Sequence, residues 1–435
     1  MKLKQNKNRV LGSRLFHDSS WAVFGNGIGN GLLLLSGILI ARLLGRDIYG
    51  EYGFVKTTML TMSGFATFGL AITATRYIAQ AVEENSCYVN RIIADALKIT
   101  FVFSLFIAVF LFIFAQPIAI YLNEEQLVNI LRLLGIIIIA KAISTTQNGI
   151  LAGYKKFDTI AKNTIKSSML MVIGCVPLTY LFGLNGALGI LFVTQAINVI
   201  INAWSIRKIV KVNVFQLNDK SYIKELTFFS LPVALQECSF TAVGLLEISF
   251  LAKLSTMGEV GLFTAASQWN AVVLMIPGLL NNIILSYLSG SVNNQQSHSR
   301  TMRIMLLVNF SCTIVPLLFV LVFSDFIVYI YGSSFNAMKG VLSILVLSSV
   351  FECCANVYRA EYIAIGRTWL LTIFRILRDV CRVIAIYYAL MLTDGVNGAK
   401  TYSVIYVIAS VCFLFVIMGT YHLCLGRYRM RCVRG

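Results

Sequence analysis

Long apolar runs separated by short polar connections dominate the chain. The runs lie at about 20–44, 52–80, 97–122, 127–152, 164–182, 184–206, 226–252, 260–288, 303–323, 338–364, 369–391 and 396–424. A helix that crosses a bilayer needs about 20 mostly apolar residues, and each run is close to that length or longer. The pattern therefore predicts an all-α integral membrane protein with twelve transmembrane helices.

Basic residues between the runs indicate which gaps face the cytoplasm. Alternate gaps and both termini are rich in lysine and arginine, whereas the other gaps carry only Arg42, Arg46, Lys253, Lys339 and Lys400. Because Lys and Arg collect in the cytoplasmic loops of membrane proteins, both termini are predicted to be cytoplasmic.

The second half of the chain repeats features of the first half. GRDIYGEYGF aligns with MGEVGLFTAA when Gly50 is placed against Gly261, and IYLNEEQLVNILRLLGI falls against IYGSSFNAMKGVLSILV at nearly the same offset. We expect two lobes of six helices each, related by a pseudo-two-fold axis along the membrane normal. The predicted N-terminal lobe is 1–206, a cytoplasmic linker is 207–225, and the C-terminal lobe is 226–435.

Composition and charge narrow the functional class. Hydrophobic residues make up 58% of the 435 residues and charged residues only 13%, which excludes a soluble enzyme. The net charge of +17 fits basic cytoplasmic loops, so no nucleic-acid partner is expected. The ten cysteines form no CxxC motif and lie mostly in apolar runs, so neither a metal site nor a disulfide framework is predicted.

Motifs for catalysis are also missing from the sequence. There is no GxxxxGK[ST] or HExxH, and none of His17, His298 and His422 lies near another histidine or near paired carboxylates in the sequence. The chain is therefore not expected to be an enzyme or to bind a cofactor. A membrane polymerase of glycan assembly is the third-ranked interpretation, and the short predicted outward loops argue against it.

Four charged residues in the run at 369–391 form the principal candidate site. Arg375, Arg378, Asp379 and Arg382 follow i, i+3, i+4, i+7 spacing and so share one helical face. Charges inside a membrane are costly and usually functional, so the favoured interpretation is a cationic stripe that faces a wet cavity and binds an anion. The competing interpretation is structural: Arg375 and Arg378 are interfacial and Asp379 pairs with one of the arginines.

Other ionisable residues also lie within predicted spans. The basic ones, Lys56 and Lys141, are added to the candidate cationic site. The acidic ones, Glu237, Glu247 and Glu352, are candidates together with Asp379 for coupling to an ion gradient or for interhelical ion pairs. Either role places these side chains in the bundle interior rather than toward lipid.

Several segments resemble a known group of exporters. ARLLGRDIYGEYGF (41–54), FATFGLAITATRYIA (65–79), LAGYKKFDTIAKN (151–163) and FFSLPVAL (228–235) are similar to segments of bacterial O-antigen flippases. These flippases fall within the group of multidrug/oligosaccharidyl-lipid/polysaccharide exporters. Arg46 stands where the turn between the first two helices often has proline in that family.

The resemblance implies a function. Such a protein transfers an undecaprenyl-diphosphate-linked oligosaccharide from the cytoplasmic to the periplasmic leaflet of the bacterial inner membrane, by alternating access between two lobes. The implied partners are the lipid-linked oligosaccharide, membrane lipids and other proteins of polysaccharide assembly. The alternative is a cation-coupled multidrug exporter of the same fold, which would use acidic residues such as Glu237, Glu247 and Glu352.

Overall fold

The computed structural model describes residues 2–83, 88–122, 127–210, 222–291 and 295–425, and every regular element among them is helical. The α-helices are α1 (Lys2–Thr67), α2 (Leu70–Glu83), α3 (Val89–Leu122), α4 (Leu127–Gly153), α5 (Phe157–Ile209), α6 (Ile223–Leu254), α7 (Met257–Ser291), α8 (Gln295–Val322), α9 (Ser324–Tyr331), α10 (Met338–Ala364), α11 (Thr368–Leu392) and α12 (Gly398–Thr420). A short 3₁₀ helix, Ser333–Phe335, follows α9, and a π-helical turn, Tyr421–Leu425, follows α12. The prediction of an all-α chain is confirmed.

Eight of the described helical segments are long and apolar enough to cross a membrane. The long helices α1 and α5 each extend over two of the predicted runs, although the run at 52–80 continues beyond the end of α1 into α2. They are kinked at Gly45 (φ 72°) and Gly183 (φ 56°), positive φ values that glycine adopts without steric cost. Helix α11 is not among the eight, because four of its residues are charged. A multi-pass membrane protein is thus supported, while the count of twelve spans stays a prediction.

The described chain divides into two compact units. Unit 1 comprises 1–44 and 51–249, and unit 2 comprises 45–50 and 250–435. Residues 226–249 therefore group with unit 1, although the sequence prediction placed them in a C-terminal lobe. The predicted lobe boundaries of 1–206, 207–225 and 226–435 remain a prediction.

Each unit is built around one central helix. In unit 1, α4 packs against α2, α3 and α5, whereas in unit 2, α10 packs against α7, α8 and α12. Helices α4 and α10 are counterparts in the internal repeat, and their neighbours correspond in order. The predicted repeat therefore agrees with the packing inside each unit.

The start of α6 is fixed to unit 1 by polar contacts. The carboxylate of Asp95 on α3 accepts the backbone N–H of Tyr222 at 2.9 Å, and Thr73 and Ser230 share a hydrogen bond of 2.8 Å. Asp95 is fully buried and also pairs with Arg91 at 3.3 Å. Because a lost partner would leave a buried carboxylate unpaired, these contacts hold the first turns of α6 in place.

The two repeat-related glycines meet within unit 2. A methyl group on Gly50 would overlap the carbonyl oxygen of Met257 and would lie 3.0 Å from the nitrogen of Gly261. A methyl group on Gly261 would overlap the carbonyl oxygen of Arg46 and would lie 3.1 Å from the nitrogen of Gly50. This reciprocal backbone approach requires the absence of a side chain at both positions.

We expect Gly50→Ala and Gly261→Ala to destabilise the protein by about 1–3 kcal/mol each, the usual effect of forcing extra atoms into a packed site. The measurement is the thermal midpoint of the detergent-purified variants. Gly340→Ala is the matched control, because no atom lies within 4 Å of the added methyl group there. Equal midpoints for Gly50→Ala and Gly340→Ala would show that the close contact is not required.

Candidate functional site

Helix α11 carries the charged stripe near the middle of its length. The helix runs from Thr368 to Leu392, so Arg378 and Arg382 lie on either side of its midpoint. At 1.5 Å per residue each arginine is about 15–21 Å from either end of the helix. The helix begins after Gly366, whose φ of 74° ends the preceding turn, so Arg375 lies two turns inside α11 rather than at its first residue.

Asp379 bridges the two central arginines. Its Oδ1 atom accepts hydrogen bonds from Arg378 Nε at 2.8 Å and Nη2 at 2.6 Å, and lies 3.8 Å from Arg382 Nη2. The side chains of Arg378, Asp379 and Arg382 are 17%, 12% and 10% exposed, respectively. The ion pairs therefore lie largely out of solvent, where charge-assisted hydrogen bonds are strong.

Aromatic rings of α12 cover the same two arginines. The guanidinium carbon of Arg378 lies 4.6 Å from the ring centroid of Phe413, and that of Arg382 lies 4.9 Å from the centroid of Tyr406. Both distances are within the range of cation–π attraction, and a planar guanidinium suits such stacking. Helix α12 thus restricts where the arginine stripe can point.

Helix α10 adds two further charges. Glu352 interacts electrostatically with Tyr406, and Arg359 interacts electrostatically with Arg375, Arg378 and Glu352. We call the six charged residues the charge cluster: Glu352, Arg359, Arg375, Arg378, Asp379 and Arg382. It contains four arginines and two carboxylates, which leaves a formal excess of two positive charges among described residues in mutual electrostatic contact.

A groove opens between α11 and α12 beside the charge cluster. Its cavity volume is about 300 Å³. Apolar and thiol side chains form most of its walls, including Leu377 and Cys381 on α11 and Ile408 and Cys412 on α12. Arg378 and Arg382 are the charged residues that line it, so the groove combines apolar walls with a cationic patch.

Unit 1 holds a second basic feature. Lys56 on α1 and Lys141 on α4 are partly buried and close enough to repel each other electrostatically. Within the described part of the chain neither ammonium has a carboxylate partner, and the nearest aromatic contact is the Tyr52 ring, 6.0 Å from Lys56 Nζ. Two like charges in an apolar bundle are a costly arrangement that an anion would relieve.

The structure thus brings the predicted residues into two groups. Arg375, Arg378, Asp379 and Arg382 join Glu352 in unit 2, and Lys56 joins Lys141 in unit 1. Glu247 on α6 is buried at 1% exposure. The side chain of Glu237 lies outside the described residues. No group of three or more potential metal ligands occurs in the described part of the chain.

Some polar residues of unit 1 were missed in the sequence. Asn163 Nδ2 donates to Asn202 Oδ1 at 2.8 Å, and Asn202 Nδ2 donates to Asn148 Oδ1 at 3.0 Å. Ser167 Oγ donates to Asn198 Oδ1 at 2.6 Å. This asparagine network connects α4 with both parts of α5, and repeated amides at helical spacing within the apolar runs were its one visible sign.

A buried histidine–glutamate pair was also missed. His298 Nε2 lies 2.9 Å from Glu361 Oε1, and the two residues are 1% and 0% exposed. The sequence analysis found no histidine near paired carboxylates and therefore assigned no role to His298. In the structure, a single carboxylate from α10 contacts it. Because 63 positions separate the two residues, no local pattern could have paired them.

Comparison with known proteins supplies the family. The profile of the family described as polysaccharide biosynthesis protein matches residues 15–287. A proposed O-antigen transporter of Shigella flexneri is 21% identical over 393 residues, which cover 88% of this chain and 93% of that protein.

Solved structures with the same fold are exporters and flippases. An inward-facing MATE family multidrug resistance transporter has a TM-score of 0.77 at 17% identity, with 93% of this chain and 94% of that chain covered. The lipid II flippase MurJ in an inward closed conformation has a TM-score of 0.70 at 15% identity, with 92% and 87% covered. A MOP superfamily transporter from Pyrococcus furiosus has a TM-score of 0.64 at 17% identity, with 97% and 96% covered. At these identities the likeness shows the fold alone.

We expect Lys56→Met and Lys141→Met to stabilise the ligand-free protein by on the order of 1 kcal/mol or more, because an intramembrane lysine costs about 2.5–3.5 kcal/mol at a helix centre. The measurement is the thermal midpoint of the purified variants. Lys166→Met, at an exposed position of α5, is the control and should change the midpoint little. A lower midpoint for Lys56→Met would mean that its ammonium is held by a favourable contact.

Proposed function

The chain belongs to the polysaccharide biosynthesis protein family, and we propose that it is a flippase for a lipid-linked oligosaccharide. The substrate is an undecaprenyl-diphosphate-linked O-antigen or related repeat unit, moved from the cytoplasmic to the periplasmic leaflet. The named relatives are transporters and flippases rather than enzymes, and they include the proposed O-antigen transporter. The observation that carries the proposal is the excess positive charge of the charge cluster on α10 and α11.

The chemistry of the charge cluster suits a diphosphate. An arginine fork can donate two parallel hydrogen bonds to phosphate oxygens, and such charge-assisted bonds are stronger than neutral ones. Asp379 satisfies only part of the cationic charge, since four arginines face two carboxylates. A bound diphosphate would neutralise the remaining charge, which is expensive to keep in an apolar environment.

Lys56 and Lys141 are proposed as a second anion site in unit 1. A single ammonium is a point charge that binds anions without the bidentate geometry of arginine. Such a site suits a phosphate or an acidic sugar whose orientation varies during transfer. The absence of a carboxylate partner for either lysine, within the described residues, supports this role.

Transfer of the glycan requires a hydrated path. A sugar hydroxyl that enters hydrocarbon without a hydrogen-bond partner costs several kcal/mol, roughly 4–8 in a solvent that cannot form hydrogen bonds. We propose that two six-helix lobes alternately expose a wet cavity to each side of the membrane. The repeated packing around α4 and α10 supports the two-fold organisation.

The protein is proposed to lie in the bacterial inner membrane with both termini in the cytoplasm. The basic residues of alternate connections support that orientation. Its partners would be the lipid-linked oligosaccharide and membrane lipids, and we extend the proposal to other proteins of polysaccharide assembly.

Replacement of either central arginine tests the function. We expect Arg378→Ala or Arg382→Ala to abolish surface polysaccharide while the protein stays in the membrane at near-normal abundance. Asp379 keeps one arginine partner in each single variant, so its carboxylate does not become unpaired. Lysine at either position should keep part of the activity, because it retains the charge but loses the planar fork. A polysaccharide gel and an immunoblot measure the two quantities.

The controls separate binding from folding. Arg207→Ala changes an exposed arginine at the end of α5 and should leave both readouts unchanged. In the triple variant Arg378→Gln, Asp379→Asn, Arg382→Gln, no charge of the bridge is left unpaired, so its abundance should be preserved. Normal polysaccharide from the triple variant would overturn a substrate-binding role for the charge cluster. Low abundance of the single variants with normal polysaccharide per molecule would make the cluster structural.

The alternative, a cation-coupled multidrug exporter, depends on acidic residues. The likeness to MATE transporters supports it only at the level of the fold. Glu352 lies among arginines in the charge cluster, which is unfavourable for a cationic drug, while the buried Glu247 keeps the alternative open.

We expect no rise in resistance to cationic drugs when the protein is produced in a strain without its own drug pumps, because the larger charged site is positive. The measurement is the minimum inhibitory concentration for several cationic drugs. An increase that disappears with Glu237→Gln, Glu247→Gln or Glu352→Gln would favour the exporter.

A further inference from the structure

The groove between α11 and α12 is long and mostly apolar, and two arginines lie within it. On α11 it follows a stripe from Phe374 to Ala385, which at 1.5 Å per residue is about 17 Å long. Leu377 and Ile408, on its opposite walls, are 59% and 55% exposed, so the groove is open rather than sealed. Arg378 and Arg382 lie within this stripe, with apolar residues on both sides of them along the helix.

The residues that line the groove suit a ligand with an apolar chain and an anionic head. Apolar walls accept a hydrocarbon chain, and they offer no hydrogen bonds to a sugar. The two guanidiniums accept an anionic head. The charge cluster to which they belong has four arginines for two carboxylates, so the cationic patch is complementary to a phosphate or diphosphate even with Asp379 in place.

The depth of the arginines identifies which anionic lipid fits. Arg378 and Arg382 flank the midpoint of a 25-residue helix. The hydrocarbon core is about 30 Å thick, so the phosphates of resting phospholipids lie roughly 15 Å from its centre. With α11 placed across the bilayer, as the proposed flippase function requires, a lipid phosphate reaches the level of these arginines only while the lipid is being carried across.

We propose that the α11–α12 groove is the binding site for the head-proximal isoprene units of the lipid-linked substrate, whose diphosphate is held by Arg378 and Arg382. This inference rests on the proposed flippase function and adds the place of the lipid chain. Because hydrocarbon gains little by leaving a lipid bilayer for an apolar groove, the groove contributes position rather than affinity. Affinity comes from the arginines, and the groove keeps the chain in lipid contact while its head passes the centre of the membrane.

Photocrosslinking tests the site directly. The probe is a fifteen-carbon prenyl diphosphate with a benzophenone on its first isoprene unit, added to the full-length protein in neutral lipid nanodiscs. We expect crosslinks in the α11 and α12 peptides that include Cys381 and Cys412. Unlabelled undecaprenyl diphosphate should remove them, and phosphatidylglycerol at the same concentration should not. Arg378→Gln with Arg382→Gln and Asp379→Asn should weaken probe binding about tenfold or more, since two charge-assisted contacts are lost.

Variants that fill the groove separate this inference from the proposed function. Ala385→Phe and Ala409→Phe place a ring among the lining residues without changing an arginine. Ile384→Phe and Val404→Phe are matched controls on the same helices, at exposed positions that are not among the residues lining the groove. We expect the groove variants to lose the crosslink and most surface polysaccharide at normal abundance, and the controls to lose neither.

Several outcomes would overturn the groove as the lipid site. They are equal competition by phosphatidylglycerol, crosslinks confined to other helices, or normal polysaccharide from both groove variants. In the last case the flippase function would stand, because the groove variants would still support surface polysaccharide. If wild-type protein failed to restore polysaccharide to a deletion strain, the proposed function would fail, whatever the crosslinks showed.

Discussion

The bridge between Asp379 and the two arginines at the centre of α11 is the interaction on which the proposed chemistry depends. An arginine at the middle of a membrane helix is costly, and two of them one turn apart are tolerable only with nearby negative charge and polarisable surfaces. Asp379 Oδ1 supplies the negative charge, and the rings of Phe413 and Tyr406 supply the polarisable surfaces. The compensation is partial, so the site can exist without substrate and still attract an anion.

The polar residues at corresponding positions of the two units differ in their chemistry. At the offset of 211 residues that aligns Gly50 with Gly261, Asn148 corresponds to Arg359 and Ser167 to Arg378. In unit 1 these positions belong to a network of neutral hydrogen bonds, whereas in unit 2 they belong to the charge cluster. Amides whose hydrogen bonds are all made stiffen a core without attracting ions, whereas a buried excess of charge favours the binding of a counter-charged ligand. The repeat thus preserves the location of a polar centre and changes its chemistry.

The Gly50 and Gly261 contact connects the repeat to the architecture. Segment 45–50 groups with unit 2, although the residues on both sides of it group with unit 1. The kink at Gly45 allows α1 to enter this segment, and the lack of side chains at Gly50 and Gly261 allows the backbones to touch. The two glycines that align in the repeat are thus also the two that touch inside unit 2.

The sequence by itself determined the helical class, the positions of the helices, the internal repeat and the charged stripe, because each depends on local hydropathy or on spacing along one helix. The predicted run at 338–364 has the same bounds as the observed helix α10. The non-helical glycines that break α1 and α5, Gly45 and Gly183, also fall at gaps between predicted runs.

Only the tertiary structure decided which charges meet. Asp379 could be matched with an arginine from spacing alone, but its bridging of both Arg378 and Arg382 depends on side-chain conformations that the neighbouring helix restricts. Arg359, Tyr406 and the partner of His298 come from other helices, and the chain between them carries no local signal of their proximity. The groove likewise exists only where α11 and α12 pack side by side. Helices form from neighbours in sequence, whereas sites form from residues that packing brings together, and that is why the former could be predicted and the latter could not.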